Sequence, residues 1–307
     1  MMWAKRAAAV VAAGVLIVAA ILIRDNVIEG DDEPRRGDAT LVCLAELAAL
    51  CTAAGVDFRT ASLDTVTAEW SARDADPDEV WFTVAPFPDV VELRRTSSRL
   101  EPLAVTTRTV ASSPLALVVP TTKAAALDQA CPGLTWRCLG DVAGRAWDDL
   151  GASGGTVRPA FAPTDTALGR LSIGAAVGGY FANATIDASD TGFLTWRRTL
   201  QRVMSGVQLS ARTPIATMLT RPSALDVAVG AEAELDNSRR EAFGVLYAAP
   251  MTRVDLVLAA PGGVTVPDDA LSALRQAALD AGWVAQAPGS PPDASALVAA
   301  VEAWGRR

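Results

Sequence analysis

The 307-residue chain contains no histidine. That removes the imidazole-dependent chemistries at once: no Ser-His-Asp or Cys-His pair, and no histidine-ligated metal. Lysine occurs only at positions 5 and 123, outside any phosphate-binding or Ser-Lys motif, and no Walker A sequence is present. Aromatics make up 6% of the residues and tyrosine occurs twice. Basic residues are outnumbered, 27 against 35 acidic, for a net charge of -8. A nucleic-acid binder needs a basic surface to replace counterions, so nucleic acid is excluded as a partner. No cofactor motif appears, and the chain reads as a binding protein rather than an enzyme.

What is present in quantity is apolar sequence: half of all residues, enough for a substantial core. Ala7 to Ile23, "AAAVVAAGVLIVAAILI", is a run of seventeen uncharged residues behind Lys5 and Arg6. As a helix it is roughly 25 Å long, sufficient to cross a hydrocarbon core with local thinning. It ends at "LIRDN", a poor cleavage site, so residues 1–24 are expected to be an uncleaved single-pass anchor in the cell membrane. The positive flank keeps the N-terminus cytoplasmic and places the remainder outside. Residues 25–37, "DNVIEGDDEPRRG", read as a tether.

The four cysteines suit an extracytoplasmic location. They permit three connectivities, of which local pairing, Cys43 with Cys51 and Cys131 with Cys138, is expected. Cys131 and Cys138 bracket the turn-forming "PGLTWR". On one continuous helix Cys43 and Cys51 would stand about 12 Å apart, beyond disulfide reach. Their bridge therefore requires Cys43 to end a strand with the helix folding back over it.

From Thr40 onward strands and helices alternate. "ATLVCL" is a strand and "AELAALCTAAG" a helix closed by Gly55. "VDFRTASL" is a strand, and "DTVTAEWSA" a helix capped by Asp64 or Thr65. "DEVWFTVAPF" is a third strand, ending in a turn at "APFPD". This order predicts a mostly parallel sheet with helices on both faces. In "SSPLALVVP" prolines stand on both sides of Leu115–Val119, and proline cannot donate to a ladder, so they are expected to bound a short buried strand. A second series follows, through "TVRPAFA", the apolar helix of "PTDTALGRLSIGAAVGGYFA" and the strand "ALDVAVGAEAEL". "RVDLVLAAP" matches "PLALVVP" in length and apolarity and is expected to pair with it. Crossings at 111–121 and 252–261 would then form a two-stranded hinge near Leu117 and Leu256. That divides the chain into a first lobe, 38–113 with 250–307, and a second, 114–249.

The order of "SSPLALVVP", "TWRCLGDVAGRAWDDLG", "FAPTDTALGRLSIGAA", "LDVAVGAEAEL", "YAAPMTRVDLVLAAP" and "ALDAGW" resembles the type II periplasmic (extracellular) solute-binding protein family. It is most like the membrane-anchored binding proteins of high-GC Gram-positive bacteria. The resemblance runs from about residue 40 to 285. It implies an α/β, two-lobed fold with two hinge strands, preceded here by the N-terminal transmembrane helix. It also implies capture of a small-molecule ligand between the lobes, with an ABC-type transporter membrane component as partner. The alternative is a sensor or scaffold of the same fold that contacts an envelope protein.

Carried onto this chain, the family's ligand-holding places are Leu44 to Glu46, Ala85 to Phe87, Ser112 with Ser113, and Thr164 to Thr166. The residues themselves allow two readings each. Hydroxyls and free N–H groups at Thr164, Asp165 and Thr166 suit an anionic or polar ligand, or simply cap a helix, with Thr164 or Asp165 as the cap. Ser112 and Ser113 either donate to a ligand or form a turn before proline. Pro86 and Phe87 either face a ligand or pack. Glu46 contacts ligand or complements a helix dipole. Arg170 is a candidate partner for a carboxylate, and Tyr247 a candidate hydroxyl donor near the return crossing.

Overall fold

A computed structural model describes residues 40–306, apart from 76, 183, 184 and 236. The expected anchor and tether lie outside these residues. Among the described residues no helix is long and apolar enough to cross a membrane.

The four residues of β1 (Leu41–Leu44) are all buried. They run into a 3-10 turn at Ala45–Leu47 and helix α1 (Ala48–Ala54), which Gly55 closes at φ 65°. Strand β2 (Phe58–Ala61) lies parallel to β1 on one side and β3 (Val80–Val84) parallel on the other. Helix α2 (Leu63–Ser71) is capped by Ser62, whose hydroxyl accepts from the Thr65 N–H at 3.1 Å, rather than by Asp64 or Thr65. The expected turn at "APFPD" is present at Ala85–Pro86 and leads at once into helix α3 (Phe87–Ser97).

Strand β4 corrects the sequence reading most. It runs from Thr106 to Pro120 as one strand of 15 residues, straight through Pro114. Its first part, Thr106–Pro114, pairs antiparallel with β8 (Arg253–Ala260), and β8 pairs antiparallel with β3. Its last part, Leu115–Pro120, pairs antiparallel with β6 (Val227–Ala231) and β7 (Phe243–Leu246). "RVDLVLAAP" therefore pairs with the residues up to Pro114 and not with Leu115–Pro120: Ala111 faces Leu256, and Leu117 faces Val229 and Leu246. The proline costs no ladder bond because it stands at the changeover. Pro114 faces Arg253, and the next N–H, of Leu115, donates to the Thr252 carbonyl at 2.9 Å.

The second half-sheet is completed by β5 (Pro159–Ala160), parallel to β6. The strand order is β2-β1-β3-β8-β4-β6-β5, with β7 on β4. The sheet is mixed, not mostly parallel, because β4 and β8 cross it antiparallel. Between the strands lie α4 (Thr121–Ala130), α5 (Trp136–Val142), α6 (Ala167–Tyr180), α7 (Thr191–Ser205) and α8 (Pro214–Thr220). Helices α9 (Asp268–Asp280) and α10 (Ala294–Gly305) close the chain. Helix α10, placed with the first lobe by the sequence reading, packs on α6 as well as α3. Its Trp304 stacks on Phe161 with centroids 6.1 Å apart.

Both local disulfides are present. Cys43 on β1 meets Cys51 on α1 with a Cα separation of 6.7 Å, the fold-back that pairing requires. Cys131 meets Cys138 across 5.7 Å.

Candidate functional site

Four strands point their carboxyl ends at one place. The chain leaves β1 into Ala45–Glu46, β2 into Ser62–Leu63, β5 toward Pro163–Thr166, and β6 into a 3-10 turn at Glu232–Glu234. In open α/β sheets ligands bind where such ends converge. Here they enclose a cavity of about 570 Å³, lined from both half-sheets. Its wall is largely apolar, with Leu44, Leu47, Leu50, Leu63, Leu168 and Trp283; its charged lining residues are Glu46, Asp165, Arg212 and Glu234.

Glu46 stands on the turn after β1, yet its carboxylate accepts the Ala167 N–H, at the first turn of α6, at 2.8 Å. A free helix N–H that suits an anionic ligand is thus taken by the protein's own carboxylate. Burial pushes the Glu46 carboxyl up to about 7, and the charge of Asp165 adds to the rise. The N–H groups of Ala167 and Leu168 and the Thr166 hydroxyl pull the other way. Thr166, rather than Thr164 or Asp165, caps α6: its hydroxyl accepts from the Gly169 N–H at 3.0 Å and donates to the Pro163 carbonyl at 2.7 Å. Gly169 lets that loop lie flat on the helix, since an added Cβ would fall 1.9 Å from the Pro163 oxygen.

Glu234 is the other carboxyl. Both of its oxygens are shut off from solvent and make no hydrogen bond. The Thr213 hydroxyl and the Ala231 N–H favour its ionised form, but neither completes a bond of ordinary geometry. Burial pushes Glu234 up to about 7, with a smaller push from the charge of Glu46. The turn that carries it is pinned by Ser113, whose hydroxyl accepts from the Ala233 N–H at 3.0 Å.

Two further contacts cross the cavity mouth. The Arg170 guanidinium pairs with Asp64 of α2 at 2.6 Å, and Arg212 donates to the Ala45 carbonyl at 3.0 Å.

Of the residues singled out from sequence, Glu46, Asp165 and Thr166 line the cavity, Thr164 is exposed beside it, and Arg170 sits in its cross-mouth ion pair. Ser112 and Ser113 do not line it. Both are buried in β4, where the Ser112 hydroxyl accepts from the Ala287 N–H at 2.6 Å. Pro86 and Phe87 are buried at the start of α3 and pack against the core, again away from the cavity. The Tyr247 hydroxyl donates to Glu232 at 2.7 Å, and neither residue lines the cavity. Sequence reasoning missed Glu234, Arg212, Thr213 and Trp283. Glu234 had a usable signal, its place at the carboxyl end of the strand "DVAVGA". Among the described residues no three acidic or thiol groups converge to hold a metal ion.

No family model and no curated protein matches the chain. Solved structures do. IdiA (FutA) of Trichodesmium, in complex with iron and citrate, aligns over 88% of this chain and 100% of its own, with a TM-score of 0.51 and 9% identity. Iron-bound HitA from Pseudomonas aeruginosa aligns over the same shares, 88% and 100%, with a TM-score of 0.50 and 14% identity. The likeness is one of fold. The reduced form of OxyR from N. meningitidis covers 80% of this chain and 96% of its own, with a TM-score of 0.44 and 14% identity. The fold shown is thus the one this chain shares with FutA and HitA, at 9% and 14% identity.

Proposed function

We propose that the chain is a membrane-anchored, extracytoplasmic solute-binding protein of the kind found in high-GC Gram-positive bacteria, and that it captures a small molecule between its two lobes. The observation that carries this reading is the cavity itself: about 570 Å³, lined by residues of both half-sheets at the carboxyl ends of β1, β2, β5 and β6. That volume lies within the roughly 300–1,000 Å³ of small-molecule sites. A ligand that touches both halves favours the closed arrangement through differential affinity. The fold shared with iron-bound FutA and HitA supports a solute in this cleft. The two disulfides suit an oxidising compartment, and the apolar Ala7–Ile23 run supplies the anchor. A transporter membrane component is the partner this reading calls for.

Native mass spectrometry of the full chain released from detergent micelles tests it. A mass above that of the polypeptide, lost at higher collision energy, is the expected result; a bare polypeptide that no small molecule stabilises contradicts it. The sensor or scaffold reading draws on Glu46, which already occupies the helix terminus from across the cavity. A carboxylate hydrolase would draw on the Glu46–Glu234 pair. Acid and nucleophile, however, need pKa values pushed apart, and burial pushes both of these up to about 7.

A further inference from the structure

We propose that the cavity takes an uncharged, mainly apolar small molecule, a compact ring or short chain with few polar atoms. This rests on the reading of the cleft as a solute site and names the class of solute. It follows from what the lining has already spent and from what it leaves free.

The hydroxyls are spent on helix starts. Ser62 accepts the Thr65 N–H at the head of α2, Thr166 the Gly169 N–H at the head of α6, and Thr213 the Ala216 N–H at the head of α8. Thr166 also donates to the Pro163 carbonyl. The charges are spent as well, or stand in water. The Glu46 carboxylate reaches across to the Ala167 N–H, so an anion finds that donor taken and a carboxylate in its place. Both Glu234 oxygens are shut off from solvent and therefore from a ligand. Asp165 and Arg212 are exposed, and Arg212 donates to the Ala45 carbonyl. A charged ligand that pairs with either one in water gains little. A bare metal ion finds no converging set of three acidic or thiol ligands among the described residues.

What remains free is hydrocarbon and ring, and it comes from both half-sheets. Leu47 and Leu50 line the cavity from the turn after β1 and from α1, and Leu63 from α2. Leu168 of α6 and Ala216 of α8 line it from the other side, and Trp283, after α9, completes the wall. A neutral molecule that covers this wall releases water from it and leaves every bond above intact. A charged one gives up its own hydration with nothing in the wall to replace it. Binding of the neutral class carries two signatures: a negative heat-capacity change and an affinity that salt barely moves.

The test is thermal shift and titration calorimetry on the full chain in detergent, with each probe's heat into detergent alone subtracted. Camphor, cyclohexanone and benzyl alcohol are compared with glucose, sulfate, citrate and cadaverine. The expected result is stabilisation by at least one of the first three, with a heat of binding that becomes more negative on warming. Its affinity is expected to change by less than about twofold between about 50 mM and about 500 mM salt. Leu50→Asp and Ala216→Asp each bring a carboxylate to the wall, one from each side. Both positions are half-buried third residues of a helix, where an acid suits the helix start. Either variant is expected to weaken binding at least about tenfold. Each variant's own melting temperature reports whether it folds, so one suffices if the other does not. Tighter binding of glucose than of the apolar probes overturns the apolar class, and tighter binding of sulfate, citrate or cadaverine overturns the uncharged class; both leave a solute site. Apolar binding unchanged in the folded variants overturns the assignment to this cavity. Silence from every probe overturns both the class and the solute reading.

Discussion

Glu234 is where the chain departs from what folding alone would favour. An acid whose folded pKa is raised from 4.5 to about 7 holds its proton more tightly folded than unfolded. The folded state thus binds more protons between those values, and stability falls as pH rises through that window. The raised value corresponds to about 3 kcal/mol lost by pH 8, and Glu46 acts in the same direction. Glu234→Gln, which cannot ionise, is expected to flatten this part of the stability profile and to raise the melting temperature at pH 8. Urea unfolding at several pH values checks it; a variant with the wild-type slope shows that Glu234 is already ionised in the fold.

At the scale of elements, close packing depends on absent side chains. Helices α5 and α7 meet at Gly140, where an added Cβ would lie 1.9 Å from the indole nitrogen of Trp196, itself bonded to the Arg137 carbonyl at 3.0 Å. Gly140→Ala is expected to cost about 2 kcal/mol or more through overpacking, measured by chemical denaturation; a neutral result means the helices slide apart freely. Ser113→Ala, which strips the Ala233 N–H of its acceptor, is expected to cost about 1–2 kcal/mol and to loosen the turn that holds Glu234. Much at this scale was legible in the sequence. The run "LVCL", the cap at Gly55, the fold-back that joins Cys43 to Cys51 and the long apolar α6 are all local patterns, and local patterns survive folding. The course of β4 was not legible. A proline breaks a strand only where a partner needs its N–H, and nothing local says that Pro114 falls where one half-sheet hands over to the other. Nor do matched apolar strands reveal register, so "RVDLVLAAP" was paired one segment too late. Among the site residues, Asp165 and Thr166 announced themselves by standing at a helix start. Glu234 is one acid in "GAEAELDN", and that its carboxyl, unlike that of Glu232, finds no ion-pair partner is a tertiary fact.

For the whole molecule, the two half-sheets are joined by the packing of α10 on α3 and α6 and, among the described residues, by polar contacts beside the cavity: Glu46 to the Ala167 N–H, Asp64 to Arg170, and Arg212 to the Ala45 carbonyl. The Asp64–Arg170 pair is mostly exposed on its acidic side, at 60%, and such pairs are worth less than about 1 kcal/mol. Arg170→Ala is therefore expected to shift ligand affinity by no more than about fivefold, read by calorimetry; loss of binding altogether places Arg170 on the ligand. The account is tested most directly by a crystal structure of the protein purified from cells that make it and supplied with a small molecule that raises its melting temperature. It predicts electron density for one small molecule in the cavity, against Glu46 and Thr166. A cavity filled by the chain's own side chains, or density only elsewhere on the surface, contradicts it.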